Sequence, residues 1–149
     1  MSDNLDDNLA MDLASGMAAF EGKHFSTAIR LLTPLADVGE MIAQHRCAIM
    51  FQNGLGVTQN DEMAYKWMKA AAEQGEPIAQ HGLGFMYLEG ECTEKNGAEA
   101  AVWFEKAANQ GLVGSQTTLA IMYEEGNGVE QDLDKARALY KLAGFDEKA

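Results

Sequence analysis

The sequence predicts an all-α fold, a right-handed α/α superhelical solenoid of helix–turn–helix repeats with a 36-residue period and about four helix pairs. Three observations predict it. Ala28, Ala64, Ala100 and Ala136 recur at 36-residue steps with no insertion or deletion between them. Gly39, Gly75 and Gly111 keep the same step, and so do Gly54, Gly90 and Gly126. Bulky positions follow: Phe51, Tyr87 and Tyr123 in one place, Leu31, Trp67, Trp103 and Leu139 in another. A fixed period of about 20–50 residues marks units that bury their apolar faces only by stacking on their neighbours.

In chain order, residues 1–149 read as a single domain with repeats at about 5–39 (degenerate), 40–75, 76–111 and 112–145. The first unit opens with a helix over about Asn8 to Phe20 that drifts out of phase. Ala28, Leu31, Leu35, Ala36 and Gly39 then keep the register of the later second helices, and Pro34 inside that helix is expected to kink it. The third repeat shows the pattern most fully. Its first helix is expected over Pro77–Glu89, where proline suits the first turn and Ala79, Leu83, Met86 and Tyr87 share one apolar face. Gly90 ends it in the left-handed conformation, as Gly54 and Gly126 do elsewhere. Asn96, matched by Asn60 and Asp132, is an N-cap for the second helix, whose buried stripe reads Ala100, Trp103, Phe104, Ala107 and Ala108. The small alanines let helices approach closely. After Gly144 only Phe145 and a charged tail remain. Leu142 and Phe145 there are either an interaction surface or a frayed end, the frayed end being the simpler expectation.

Charge narrows the function. The chain carries 23 acids against 11 bases, a net charge of −12 and a pI near 4.5. That balance repels phosphate backbones and anionic bilayers, so neither nucleic acid nor membrane is an expected partner. It suits a basic protein segment, or serves only to keep the chain soluble. The first twelve residues hold four acids and no Lys or Arg, unlike a secretory signal, and no run approaches the roughly 20 apolar residues of a membrane span. Cys47 and Cys92 stand out of step with the repeat, at places where other repeats carry Leu83 and Leu119, or Gly56 and Gly128. A disulfide framework would recur with the repeat, so the expected compartment is the cytoplasm.

The motif Ala79-x3-Leu83-Gly84-x2-Tyr87-x2-Gly90, then Ala100-x2-Trp103-Phe104-x-Lys106-Ala107-Ala108-x-Gln110-Gly111, resembles the Sel-one-like repeat of bacterial type, a relative of the tetratricopeptide repeat. GLGV at 54–57 and GNGV at 126–129 resemble its turn, and KAAAEQG at 69–75 and KAANQG at 106–111 its helix end. The likeness covers about residues 25–145. Departures are Glu91-Cys92-Thr93 in the turn, Gly114-Ser115 in place of the usual alanine step, and Gln116-Thr117-Thr118 before Leu119; they bear on local turn geometry. The resemblance implies a non-enzymatic adaptor or protein–protein interaction module, of the kind found in bacterial signalling or regulation. Some cysteine-rich members of the family are linked to penicillin binding or β-lactam hydrolysis, but they pair cysteines within each repeat. This chain lacks that pattern, so no enzymatic role carries over.

In helical solenoids the first helices line the concave face. The stripe of each first helix turned away from its second helix is therefore the expected partner-binding surface. It comprises Ile42, His45, Ile49, Gln52 and Asn53 in one repeat and Ile78, His81, Phe85, Leu88 and Glu89 in the next. Gly114, Thr117, Ile121, Glu124 and Glu125 follow in the last. Ile49, Phe85 and Ile121 form an apolar row that either anchors a peptide, with its basic residues toward Glu89, Glu124 and Glu125, or packs on neighbouring first helices to complete the core. His45 and His81 invite a metal, yet neighbouring helices stand roughly 8–10 Å apart and no repeated Cys or carboxylate completes a site. No metal or cofactor is expected. Met50, Met86 and Met122 read as core filler. No nucleophile–base arrangement and no phosphate-binding loop is present, since the GLGV glycines follow a helix and open none. The expected function is reversible binding of a protein or peptide segment by a monomer or weak homodimer. The alternatives are a self-associating structural scaffold and a penicillin-binding or β-lactam-hydrolysing enzyme.

Overall fold

The structure, a computed structural model, describes residues 2–145, with side chains described from residue 7 onward. The charged tail expected after Phe145 lies outside the described residues. Among them are eight helices and no strand: α1 (Ser2–Glu21), α2 (Phe25–Asp37), α3 (Met41–Asn53), α4 (Asp61–Glu73), α5 (Pro77–Glu89), α6 (Gly97–Asn109), α7 (Val113–Glu125) and α8 (Leu133–Leu142). The helices form two compact units that divide between Gln74 and Gly75. In the first unit α1 packs on α2, α2 on α3 and α3 on α4; in the second α5 packs on α6, α6 on α7 and α7 on α8. The all-α helical-repeat fold read from the 36-residue period is the observed one.

The helix boundaries follow from their caps. Asn60, Asn96 and Asp132 each accept a hydrogen bond from the backbone N–H three residues on, satisfying a donor that the helix leaves open. Glu40 and Glu76 do the same for α3 and α5, at 2.6 Å from the N–H of Ala43 and Ala79. Glutamate is not a preferred cap, so these two were not visible in the sequence. Gly54, Gly90 and Gly126 end α3, α5 and α7 with φ of 66–69°. The turn that follows keeps its form even at Glu91-Cys92-Thr93. Cys92 takes φ 66° where Gly56 and Gly128 take 71° and 76°, and the bond from Asn96 N–H to Tyr87 O matches those from Asn60 to Phe51 and Asp132 to Tyr123.

Several expectations need correction. α1 starts earlier than expected, at Ser2, and ends at Glu21. Trp103 is only half-buried, and the buried stripe of α6 is Ala100, Ala101, Phe104, Ala107 and Ala108. Phe145 is not frayed: its N–H donates to Tyr140 O at 2.9 Å and its ring meets the Tyr140 ring edge-on.

Phe104, Leu83, Met86 and Met122 are among the most deeply buried side chains of the second unit, and Leu32, Leu35, Cys47 and Met50 hold that place in the first. A fully buried side chain of Leu, Phe or Met size contributes about 1.5–3 kcal/mol. Polar contacts add register. Gln74 Nε2 donates to Gly39 O (3.0 Å) and to Gln44 Oε1 (2.7 Å), while Gln44 Nε2 donates to Ala36 O. In the second unit Gln110 Nε2 donates to Gly75 O and Gln80 Oε1, both at 2.9 Å, and Gln116 Nε2 to Ala108 O. Backbones also touch directly. A Cβ on Gly128 would stand 2.5 Å from the carbonyl of Gly97, so the turn after α7 sits flush on the start of α6 only because both residues lack side chains.

Candidate functional site

The expected partner-binding stripe divides between the two units. On α3, His45 is buried at 5% exposure, with Arg46 Nη1 3.1 Å from its Nδ1, so it does not line an open face. Ile42, Ile49 and Gln52 are half-buried, and Asn53 is exposed but turns its amide onto Ile49 O. The first unit thus offers little open apolar surface along this stripe.

The second unit differs. On α5, Ile78 and Phe85 are 52% and 39% exposed, and on α7 Val113 and Ile121 are 52% and 40% exposed. Leu88 instead leans inward onto the cluster of Ala100, Ala101, Phe104, Leu119 and Met122. Glu89, Glu124 and Glu125 are exposed at the C-terminal ends of the two helices, and Glu124 accepts from Tyr140 Oη at 3.2 Å. Thr117 spends its hydroxyl on Val113 O. Neither α5 nor α7 contains a Lys or Arg. Their carboxylates add to the negative end of each helix dipole, so that end of the face favours cations.

At the centre is an aromatic cluster. His81 meets Phe85 and Phe104 edge-on at centroid distances of 4.9 and 5.3 Å, and the two phenyl rings meet at 5.2 Å. Such pairs contribute about 0.5–1.5 kcal/mol beyond their buried area. Gly84 makes room for the fully buried Phe104, whose ring carbons lie 2.9–3.0 Å from where a Cβ would stand. His81 Nδ1 is 2.6 Å from the Oγ of Ser115, which is fully buried on α7. Burial holds the His81 ring below the usual histidine value, so it is neutral at neutral pH.

Phe104, Gly84 and Ser115 were not singled out as site residues, although the signal was present. At 36-residue steps the chain reads Ala43, Ala79, Ser115; Ala48, Gly84, Ala120; Ile49, Phe85, Ile121; Met68, Phe104, Tyr140; and Ile42, Ile78, Gly114. Residues that break these series, Ser115, Gly84, Phe85, Phe104 and Gly114, meet around His81. Among the described residues no group of three His, Cys, Asp or Glu could hold a metal ion, and no helix is long and apolar enough to cross a membrane.

Compared with known protein families, residues 42–76, 77–112 and 114–144 match the Sel1 repeat. Among solved structures the chain is similar to c5321, described as a protective antigen present in uropathogenic Escherichia coli strains and displaying an SLR fold. The TM-score is 0.85 with 34% identity, over 91% of this chain and 30% of that one. A Sel1 repeat protein from Oxalobacter formigenes gives a TM-score of 0.83 with 31% identity, over 87% of this chain and 54% of its own. Helicobacter pylori cysteine rich protein B (hcpB) shares the fold, at a TM-score of 0.63 and 20% identity over 80% of this chain and 86% of that one. The chain therefore spans about a third of the first of these proteins and about half of the second. No curated protein matches the chain.

Proposed function

Since the chain belongs to the Sel1 repeat family, whose members are generally protein-interaction modules, we propose that it is a non-enzymatic adaptor. It binds an extended peptide or protein segment on the face formed by α5 and α7. One observation carries the proposal: Phe85 and Ile121 hold large apolar side chains about two-fifths exposed on two helices that end in carboxylates and contain no Lys or Arg. Scattered single apolar residues need no explanation, but here Ile78, Val113, Phe85 and Ile121 share two neighbouring helices. An apolar anchor of the partner would pack on Phe85 and Ile121, and a following Lys or Arg would meet Glu89, Glu124 or Glu125. The net charge of −12 draws a basic segment in. No bond is made or broken, and the same acidity disfavours nucleic acid and anionic membranes.

The test is selection of a phage-displayed library of random twelve-residue peptides on the wild-type chain. Recovered peptides are synthesised and titrated calorimetrically against wild type and Phe85→Glu. The expected result is recovery of peptides with an apolar residue near Lys or Arg, a tenfold or greater loss of affinity in Phe85→Glu, and unchanged helical circular dichroism. An empty selection, or peptides indifferent to Phe85→Glu, overturns the proposal. Loss of helical content would place Phe85 in the core and overturn it equally.

A further inference from the structure

We propose that the opening above His81, left by Gly114, is an anchoring subsite that takes a carbonyl oxygen of the bound peptide onto His81 Nε2–H. The inference rests on the peptide-binding reading above and specifies how the peptide is held.

Gly114 is the position at which the two preceding repeats carry Ile42 and Ile78. In place of a branched side chain α7 presents bare backbone, and a Cβ there would meet within 4 Å only His81, its Cε1 at 3.5 Å and its Nε2 at 3.8 Å. The missing side chain thus uncovers that edge of the imidazole. Gly114 is itself exposed, so the opening faces solvent. An isoleucine there would cover it.

Ser115 orients the ring. Its hydroxyl is fully buried, and His81 Nδ1 is the one hydrogen-bonding partner it reaches among the described residues. A hydroxyl has a single proton to donate, and among the described residues Nδ1 is the acceptor within its reach. The hydroxyl therefore donates to Nδ1, and the neutral ring carries its own proton on Nε2, the nitrogen at the opening. Phe85 and Phe104 hold the ring from the side. The result is a fixed donor with an apolar flank, and among the described residues Nε2 has no hydrogen-bond partner.

An acceptor is what such a donor selects. A carboxylate is disfavoured on a face whose charged groups on α5 and α7 are Glu89, Glu124 and Glu125. A neutral peptide carbonyl carries no such penalty, and every extended segment presents one beside each side chain. Phe85 follows His81 by one helical turn and Ile121 follows Gly114 by two, so anchor, carbonyl and basic residue are met in order along the helices. Ser115 and Gly114 are a matched pair of departures from the repeat: one fixes the proton and the other opens the path to it.

The experiment uses the peptides recovered above on the full chain. Gly114→Ile restores the repeat's own residue and closes the opening. His81→Phe combined with Ser115→Ala keeps ring and packing while removing the donor. Each is expected to weaken binding about tenfold, the effect of one hydrogen bond of about 1.4 kcal/mol, with helical content preserved. Nitrogen-15 spectra of the histidine-labelled chain should show the proton on Nε2, and its exchange with solvent should slow when peptide is added. If Phe85→Glu weakens binding but these two variants do not, the subsite is wrong while the binding face stands. A proton on Nδ1 in the complex would also overturn the subsite. If none of the three variants weakens binding, both readings fall.

Discussion

Gly84 and Phe104 form a matched pair, and replacing them together should cost far less than replacing either alone. A Cβ on Gly84 would stand 2.9 Å from Cδ1 and Cε1 of Phe104 and 3.0 Å from Cζ, well inside the roughly 3.5–4.0 Å at which carbon atoms attract. The ring has no exposed side to retreat to. Overpacking of this kind costs about 1–3 kcal/mol, while alanine in place of glycine within a helix recovers about 1 kcal/mol, so Gly84→Ala should destabilise by roughly 1 kcal/mol. Phe104→Met leaves part of the ring's space unfilled and should also cost about 1 kcal/mol. One repeat earlier the same two places hold Ala48 and Met68, a pair this chain already uses. In the double variant the helix-propensity gain offsets the lost ring contacts, and stability should lie within about 0.5 kcal/mol of wild type. The coupling is then about 1.5–2 kcal/mol, read from urea denaturation of the four proteins by circular dichroism at 222 nm. Additive effects, with coupling below about 0.5 kcal/mol, would refute the fit between ring and missing methyl.

Other outcomes follow from the same geometry. Gly128→Ala should destabilise by about 1–3 kcal/mol more than Gly111→Ala. Both residues have φ above +70°, but a Cβ at 128 strikes the Gly97 carbonyl while one at 111 meets nothing within 4 Å; paired urea titrations decide it. His81 is held neutral by burial, so its contribution to stability is complete above pH 6.5, the ordinary histidine value, and is lost as pH falls through the lower native value. Tm should fall between pH 7 and pH 5 in wild type and fall less in His81→Phe/Ser115→Ala; equal falls would assign the dependence elsewhere. Burial pushes the Cys47 thiol up to about 11, whereas Cys92 lies half-buried in a surface turn. Ellman's reagent at pH 8 should therefore modify the native chain at Cys92 and leave Cys47 until denaturant is added.

The 36-residue step made the fold legible because a stacked repeat imposes the same packing demand at each turn of the array. Pro77–Glu89 was readable to the residue, its start set by proline and its end by Gly90. The site was only half legible. Periodicity places a residue on a stripe of a helix, but it cannot say which repeat buries that stripe. His45 and His81 occupy equivalent places, yet one is buried and the other lies beside the bare backbone of Gly114. Leu88 turned inward: its burial is decided by neighbours on α6 and α7 and not by its own spacing. The informative signal lay in the departures from the repeat more than in the repeat. Gly84, Phe104 and Ser115 each break a series, and only three-dimensional contact shows that they do so together.

The glutamines have a consequence for how such a chain can change length. Gln74 reaches back 35 residues to the carbonyl of Gly39, and Gln110 reaches back 35 to Gly75. Each bond closes a ring over one whole repeat and therefore measures it. Adding or removing a residue within a helix would carry the amide about 100° around the axis, away from its carbonyl. An insertion in the turns at 54–60 or 90–96 would leave helix and amide in place. Length variation should therefore collect in those turns or come in whole 36-residue steps, so the array is quantised by a side-chain bond as well as by its packing.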